Sequence, residues 1–390
     1  MKKIILSMAA IATVSMGASD VKHPHERIET KKQKILETET QVPVAEKSIL
    51  DRFHFKGDLR LRYESIERDD ADNKYRNRYR LRLGLTTVIT DNLEFKVGMR
   101  SGFANPTSGN QTFLDDEPLR DYFFQSLRFN VLGFKYKSDS STYEIGRLPY
   151  MMYRPIKTQL IWDNDVSLNG VNYQYKDDTK IITLGVNQPT LEEAASNDAN
   201  VVNLIIAQYV HKSELDFAKL YLGTGLYYYD GLKGNIPLFG KGKGNTLDEN
   251  GLYVNNYHLI EGFGELQFND VFGMPLKVAA GVVYNFGADD NNFGYDLAVM
   301  LGKAKHVGDW QVKYSYTDLQ ADAAFGAYSD SDNFGGGTAA KGSAIRAKYK
   351  MGKNLYLAGN FFFDTLYASK SKTGAEADYE RVQLDAIIKF

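Results

Sequence analysis

The sequence predicts an all-β fold, a transmembrane antiparallel β-barrel of about sixteen strands, with eighteen as the alternative. Three observations predict it. From Phe53 onward apolar and polar residues alternate with a period of two, the mark of strands with one buried and one polar face. The connections between these segments are by turns short and long. The chain holds 26 Tyr and 22 Phe against 2 Trp, and it is 43% hydrophobic. With a negative mean hydropathy, that composition suits strands whose two faces meet different media.

The first segments carry the alternation most cleanly. Phe53, Phe55, Gly57, Leu59, Leu61 and Tyr63 share one face, and Lys56, Asp58, Arg60, Arg62 and Glu64 share the other. Tyr79, Leu81, Leu83 and Leu85 then oppose Arg76, Arg78, Arg80 and Arg82. Leu93, Phe95, Val97 and Met99 alternate with Glu94, Lys96, Gly98 and Arg100. Further strands are expected near 119–132, 142–148, 166–177, 179–188, 200–212, 216–230, 255–269, 275–287, 293–303, 308–319, 342–351, 354–367 and 378–390. Short connections such as Thr90–Asn92, Asp177–Asp178, His211–Leu215 and Gly352–Lys353, with a longer one around Gly133–Ser141, alternate with long ones at 103–118, 149–165, 231–254 and 320–341. Short periplasmic turns and long extracellular loops are the pattern of an outer-membrane barrel. A propeller or solenoid would repeat its sequence, and a β-sandwich would need about half this length.

The N-terminal 50 residues differ. Lys2 and Lys3 precede an apolar core from Ile4 to Val14 and small residues at Ser15, Gly17, Ala18 and Ser19, which reads as a secretory signal over residues 1–18. Residues 19–50 are rich in Lys, Glu, Gln and Thr and read as a charged periplasmic linker or short helix before a barrel over 51–390. At the other end Val382, Leu384, Ala386, Ile388 and Phe390 alternate outward. A terminal aromatic at Phe390 is expected to act as the signal read by outer-membrane assembly machinery.

Charge is unevenly placed. Of 16 Arg, 13 lie between Arg52 and Arg154. A first loop centred near Ala71 would set Arg60 against Arg82 and Arg62 against Arg80, and a turn centred on Asp91 would set Arg82 against Arg100. Like charges directly opposite destabilise a sheet, so Arg60, Arg62, Arg76, Arg78, Arg80, Arg82 and Arg100 form a basic wall that needs acids, water or an anion. In a lumen such walls favour anions. The competing expectation is neutralisation by Asp115, Asp116, Glu117, Asp163 and Asp165, since 15 acids share residues 51–154 with 18 Lys and Arg. The stretch from Leu148 to Asp165 is too apolar for a loop in water, with Tyr150, Tyr153 and Trp162 among its residues. It is expected to fold into the barrel as a constriction loop that leaves Arg154, Asp163 and Asp165 near the narrowest point. The rival is contact with a neighbouring subunit.

Catalytic and metal chemistry find no pattern. The six His, at 23, 25, 54, 211, 258 and 306, join no Ser/His/acid motif, and no ligand spacing suggests a metal. Asp69, Asp70 and Asp72 read as a solvated loop before a weak calcium site. The Gly-rich tracts at 231–244 and 335–337 lack the strand-to-helix setting of a phosphate cradle. The chain has no Cys and a formal net charge of −2, which excludes disulfides and gives no sign of nucleic-acid binding.

Four segments carry a family resemblance: FKGDLRLRYE at 55–64, RNRYRLRLGL at 76–85, IGRLP at 145–149 and WDNDVSLNGVNYQY at 162–175. They resemble the Gram-negative putative porins and, more distantly, the phosphate-selective porins. The resemblance implies a barrel of sixteen to eighteen strands and passive diffusion of small hydrophilic solutes and ions, with a mild anion preference as one option and no named substrate. The phosphate-selective group carries Arg and Lys on inward loops, where this chain offers Arg154 and Lys157. Expected partners are outer-membrane lipid and lipopolysaccharide, the assembly machinery, and further copies in a homotrimer, with no cofactor. The alternatives are a substrate-specific channel, a hydrocarbon transporter and an outer-membrane hydrolase.

Overall fold

A computed structural model describes residues 49–102, 105–113, 127–189 and 202–390. The signal-peptide expectation and all of the linker before Ile49 fall outside these residues, as do Asp115, Asp116 and Glu117.

Sixteen antiparallel strands among the described residues close into one barrel. They are β1 (Phe53–Arg68), β2 (Lys74–Val88), β3 (Leu93–Arg100), β4 (Arg128–Ser138), β5 (Ser141–Pro149), β6 (Ser167–Lys176), β7 (Lys180–Gln188) and β8 (Asn203–Glu214). The second half continues with β9 (Lys219–Asp230), β10 (Tyr257–Val271), β11 (Met274–Asn285), β12 (Phe293–Gly302), β13 (Trp310–Leu319), β14 (Ala340–Lys350), β15 (Leu355–Leu366) and β16 (Ala377–Lys389). Each strand pairs with its sequence neighbours. Closure runs from Asp58 opposite Lys389 to Arg68 opposite Tyr379. A closed barrel satisfies every strand's backbone within the sheet, which hydrocarbon demands.

The period-two alternation becomes an apolar exterior. Leu61, Leu83, Phe134, Ile145, Val186, Leu226, Leu297, Ile345, Phe363 and Leu384 are large, apolar and exposed, each on a different strand. Such a surface would be a liability in water and is the lipid-facing band of a membrane barrel. Turns of two to seven residues, from 139–140 to 303–309, gather at one end, and the loops at 150–166, 231–256 and 320–339 gather at the other.

Three sequence expectations need correction. The fourth strand runs over Arg128–Ser138, not 119–132, and the supposed turn around Gly133 is strand. Gly133 lies opposite Gly146, where a Cβ on Gly133 would sit 2.4 Å from the Ile145 carbonyl oxygen and Gly146 has φ +109°. The glycines there permit close strand approach rather than a turn. Second, the first hairpin is displaced by two residues: Arg60 faces Arg80, Arg62 faces Arg78, Glu64 faces Arg76, and Asp58 faces Arg82. A shift of two preserves the faces, so the arginines still point inward. Third, His211 lies in β8, opposite Leu222, rather than in a turn. Arg82 does face Arg100.

Candidate functional site

The site is the lumen, where the inward faces of β1 to β3 and β16 meet two inserted loops. The cross-strand arginines are spaced by carboxylates, so their like charges are shared out. Asp58 accepts from Arg80 at 2.9 Å and Arg82 at 2.7 Å. Asp385 takes a bidentate pair from Arg62 at 2.6 and 2.8 Å, with Arg60 at 3.8 Å. Glu64, fully buried, accepts from Arg76 at 3.0 Å and Arg381 at 2.9 Å, with Arg78 at 3.4 Å. Forked pairs of this kind are the strong ones, because two charge-assisted bonds share one geometry.

Loops complete the pairing. Asp165 reaches Arg82 at 3.0 Å and Arg80 at 3.6 Å. Asp332, from the 320–339 loop, reaches Arg381 at 3.1 Å and Arg62 at 3.4 Å. Arg60 and Arg78 also hold the 105–113 segment through the side-chain oxygen and carbonyl of Asn110. Arg100 donates to the carbonyls of Asn105 and Pro106. Asp332 is kept well below the ordinary Asp value: burial opposes ionisation, but Arg62, Arg381 and Arg60 outweigh it. It therefore stays charged against the arginine face.

The 150–166 loop packs inside the barrel. Trp162, 1% exposed, contacts Tyr150, Tyr227 and Tyr328 at ring-centroid distances of 5.6, 5.3 and 5.8 Å. Tyr153 donates to Glu265 at 2.7 Å and stacks on Tyr221. At the loop's far edge Ile156 has φ +45° and Lys157 φ +54°, a conformation that a β-branched residue adopts only under constraint. The barrel wall supplies that constraint. The Ile156 amide donates to Glu265 at 2.9 Å, and its carbonyl accepts from Lys313 at 3.1 Å. Thr158 donates to Asp296 alongside. Arg154 braces the loop internally, donating to the Thr158 and Trp162 carbonyls at 2.8 Å each and to Asn164 at 2.6 Å.

Asp163 serves the loops themselves. Its carboxylate accepts from the Ser331 amide at 2.9 Å and the Asp165 amide at 2.8 Å, while its own amide donates to the Tyr328 carbonyl at 2.7 Å. It latches the two inserted loops together. Burial pushes its carboxyl well above the ordinary Asp value, with Asp165 and Asp330 reinforcing the shift.

The sequence places a long connection here, at 320–341, but its insertion into the barrel was not anticipated. Ala323, Ala324, Phe325, Ala327, Tyr328 and Phe334 are buried in one cluster with Trp162, Tyr227, Tyr229, Tyr253 and Tyr257. Its signal was the one used for the 150–166 loop, an excess of apolar residues, but small alanines made it fainter. Arg381 and Arg346 were also missed. They occupy inward positions on β16 and β14, and Arg346 pairs with Asp330 at 3.0 Å. Phe390 pairs with Gly57 through two backbone bonds of 2.7 and 3.0 Å. Among the described residues no group of His, Cys, Asp or Glu is arranged to hold a metal.

Comparison with known proteins places this geometry. A family described as "Putative porin" matches residues 66–192 and 256–390. No curated protein sequence matches the chain. Among solved structures, OprB of Pseudomonas putida at high pH is similar with a TM-score of 0.58 and 13% identity, over 88% of this chain and 95% of that one. OmpF of Salmonella typhi, in complex with daunomycin, is similar with a TM-score of 0.53 and 14% identity, over 87% and 97%. At those identities the likeness speaks for the barrel fold. The family match covers most of the chain, and with it the Arg-rich hairpin from Ile66 on and the segment after Trp162. The chain therefore belongs to the putative porin family, as a channel for passive diffusion across the Gram-negative outer membrane.

Proposed function

We propose that small hydrophilic solutes pass through a lumen narrowed by the 150–166 and 320–339 loops, with only a weak preference for anions. The observation that carries this reading is the pairing of the arginine face with Asp58, Glu64, Asp165, Asp332 and Asp385. Paired charges leave a local transverse field rather than a net attraction. A modest cationic excess remains. One lumenal cavity of about 340 Å3 is lined by six cationic and four acidic side chains. Another of about 670 Å3 is lined by six and three. Their field is felt over a Debye length of about 10 Å at 0.1 M salt, so any selectivity fades as salt rises.

Tyr150, Tyr153, Arg154, Trp162, Asp163 and Asp165 set the constriction. Lipid and lipopolysaccharide surround the apolar band, a homotrimer is the assembly, and residues 1–18 and 19–50 serve as signal and linker. A second reading, a substrate-specific channel, is favoured by the aromatic cluster that fills part of the lumen. It would give solute flux that saturates.

The test is the reversal potential of the purified channel in a KCl gradient. Replacing Arg60, Arg82 and Arg100 with Gln strips charge from beside Asp58, Asp165 and Asp385. The reversal potential then moves toward cation preference, most at low salt. No shift would mean that these side chains do not line the conducting path.

A further inference from the structure

The arginines of the lumen are paired; a group of lysines near the short-turn end is not. Tyr356, second residue of β15, lies opposite Lys350 on β14 and opposite Ile387 on β16. The ammonium groups of Lys348, Lys389 and Lys350 stand 4.5, 5.0 and 5.5 Å from the centre of its ring. Lys348 and Lys389 line the two lumenal cavities, so the cluster opens toward the solute path.

Among the described residues none of the three ammonium groups has a carboxylate within ion-pair distance. The Lys350 ammonium donates to the Lys305 carbonyl at 2.8 Å. The nearby Asp309 carboxylate accepts from the backbone amides of Lys305 and His306 instead. Three like charges gathered around one ring lie within about a Debye length of each other at physiological salt, so bulk ions do not isolate them. The ring's negative face offsets part of the repulsion. What remains is a demand for negative charge.

We propose that this cluster is a binding site for divalent oxyanions at the end of the lumen that outer-membrane barrels turn to the periplasm. Each lysine offers a compact charge and three rotatable donors on a flexible stem, which suits a tetrahedral oxyanion better than a planar one. Tyr356 holds the ammonium groups together while the site is empty. The arginines higher in the lumen offer no equivalent, because their donors already serve carboxylates and, for Arg78 and Arg100, backbone carbonyls. The proposal rests on the reading of the lumen as the solute path, and it supplies what the paired arginine face lacks, a place where an anion is held.

Sulfate is the probe, because it stays divalent across the neutral range. Titration calorimetry on the full chain in detergent measures binding without requiring an open pore, and sulfate block of chloride current in planar bilayers measures its effect on conduction. Lys348→Gln/Lys350→Gln/Lys389→Gln is expected to weaken sulfate binding about tenfold, as the loss of three partly exposed contacts implies. Lys389→Gln alone, at an exposed strand end, is expected to give about a third to a half of that loss in free energy should the triple variant fail to fold. Block of chloride current should weaken in step. Unchanged sulfate affinity in either variant, or no sulfate binding to the unaltered protein, overturns the site. An unaltered protein that binds sulfate but passes no current would leave the site standing and overturn the channel reading instead.

Discussion

Glu64 is fully buried and lies among Arg76, Arg78 and Arg381. Its removal leaves three guanidiniums short of a shared counter-charge, and breaking such a buried set costs about 3–5 kcal/mol. Glu64→Gln is therefore expected to lower the urea midpoint of the detergent-folded barrel. An unchanged midpoint would mean that water already neutralises the arginines. Asp163 and Asp330 are shifted in the opposite sense to Asp332. Burial raises both above the ordinary value of 3.8, for Asp330 against the pull of Arg346. Between that value and the raised one, the packed loops hold protons that the unfolded chain does not, so their packing weakens as pH rises through the window and strengthens on acidification. Protease cleavage within the two loops should be slower in mildly acidic than in mildly alkaline buffer. Asp163→Asn should flatten that difference, and a difference undiminished in this variant would place its source elsewhere. At this scale the face shared by the seven arginines of β1 to β3 was readable, because alternation fixes a face without needing register. Arg381 was not, because the final strand was read for its outward apolar side. Asp385 and Asp332 were unreadable as partners because they lie more than 260 residues away from Arg62.

The 150–166 loop stays in the lumen because wall carboxylates hold its backbone where its own conformation is strained. Glu265→Ala removes the acceptor for the Ile156 amide and the Tyr153 hydroxyl, and each buried donor left unpaired costs about 1–3 kcal/mol. The loop should then leave its seat part of the time, seen as added open-channel noise and a larger mean conductance. Deleting Tyr150 to Leu160 should raise conductance further. Unchanged conductance in a correctly inserted deletion variant would favour the subunit-contact reading. Strands were the most legible elements, since fifteen of the sixteen fall where alternation puts them and an error of two in register leaves every face intact. The fourth failed where glycine, usually a breaker, serves close packing at Gly133 and Gly146. The insertion of the 320–339 loop went unread because its buried apolar residues are largely alanines, which carry little hydrophobic signal apiece.

For the whole molecule, two charge systems divide the lumen. An arginine face is neutralised by strand and loop acids near the loop end, and a lysine excess remains toward the short turns. Attraction between unit charges is about 4 kcal/mol at 4 Å where the effective dielectric is near 20, so either system would dominate permeation if left unpaired at the constriction. The pairing makes the arginine face a positioning element for loops as much as a filter. The account therefore turns on the reversal potential of the unaltered channel, measured with its conductance across a KCl gradient at falling ionic strength. It predicts steady current with a small reversal potential of anion-preferring sign that grows as salt is lowered. A channel that passes no current, or one whose reversal potential has the cation-preferring sign at low salt, would contradict it.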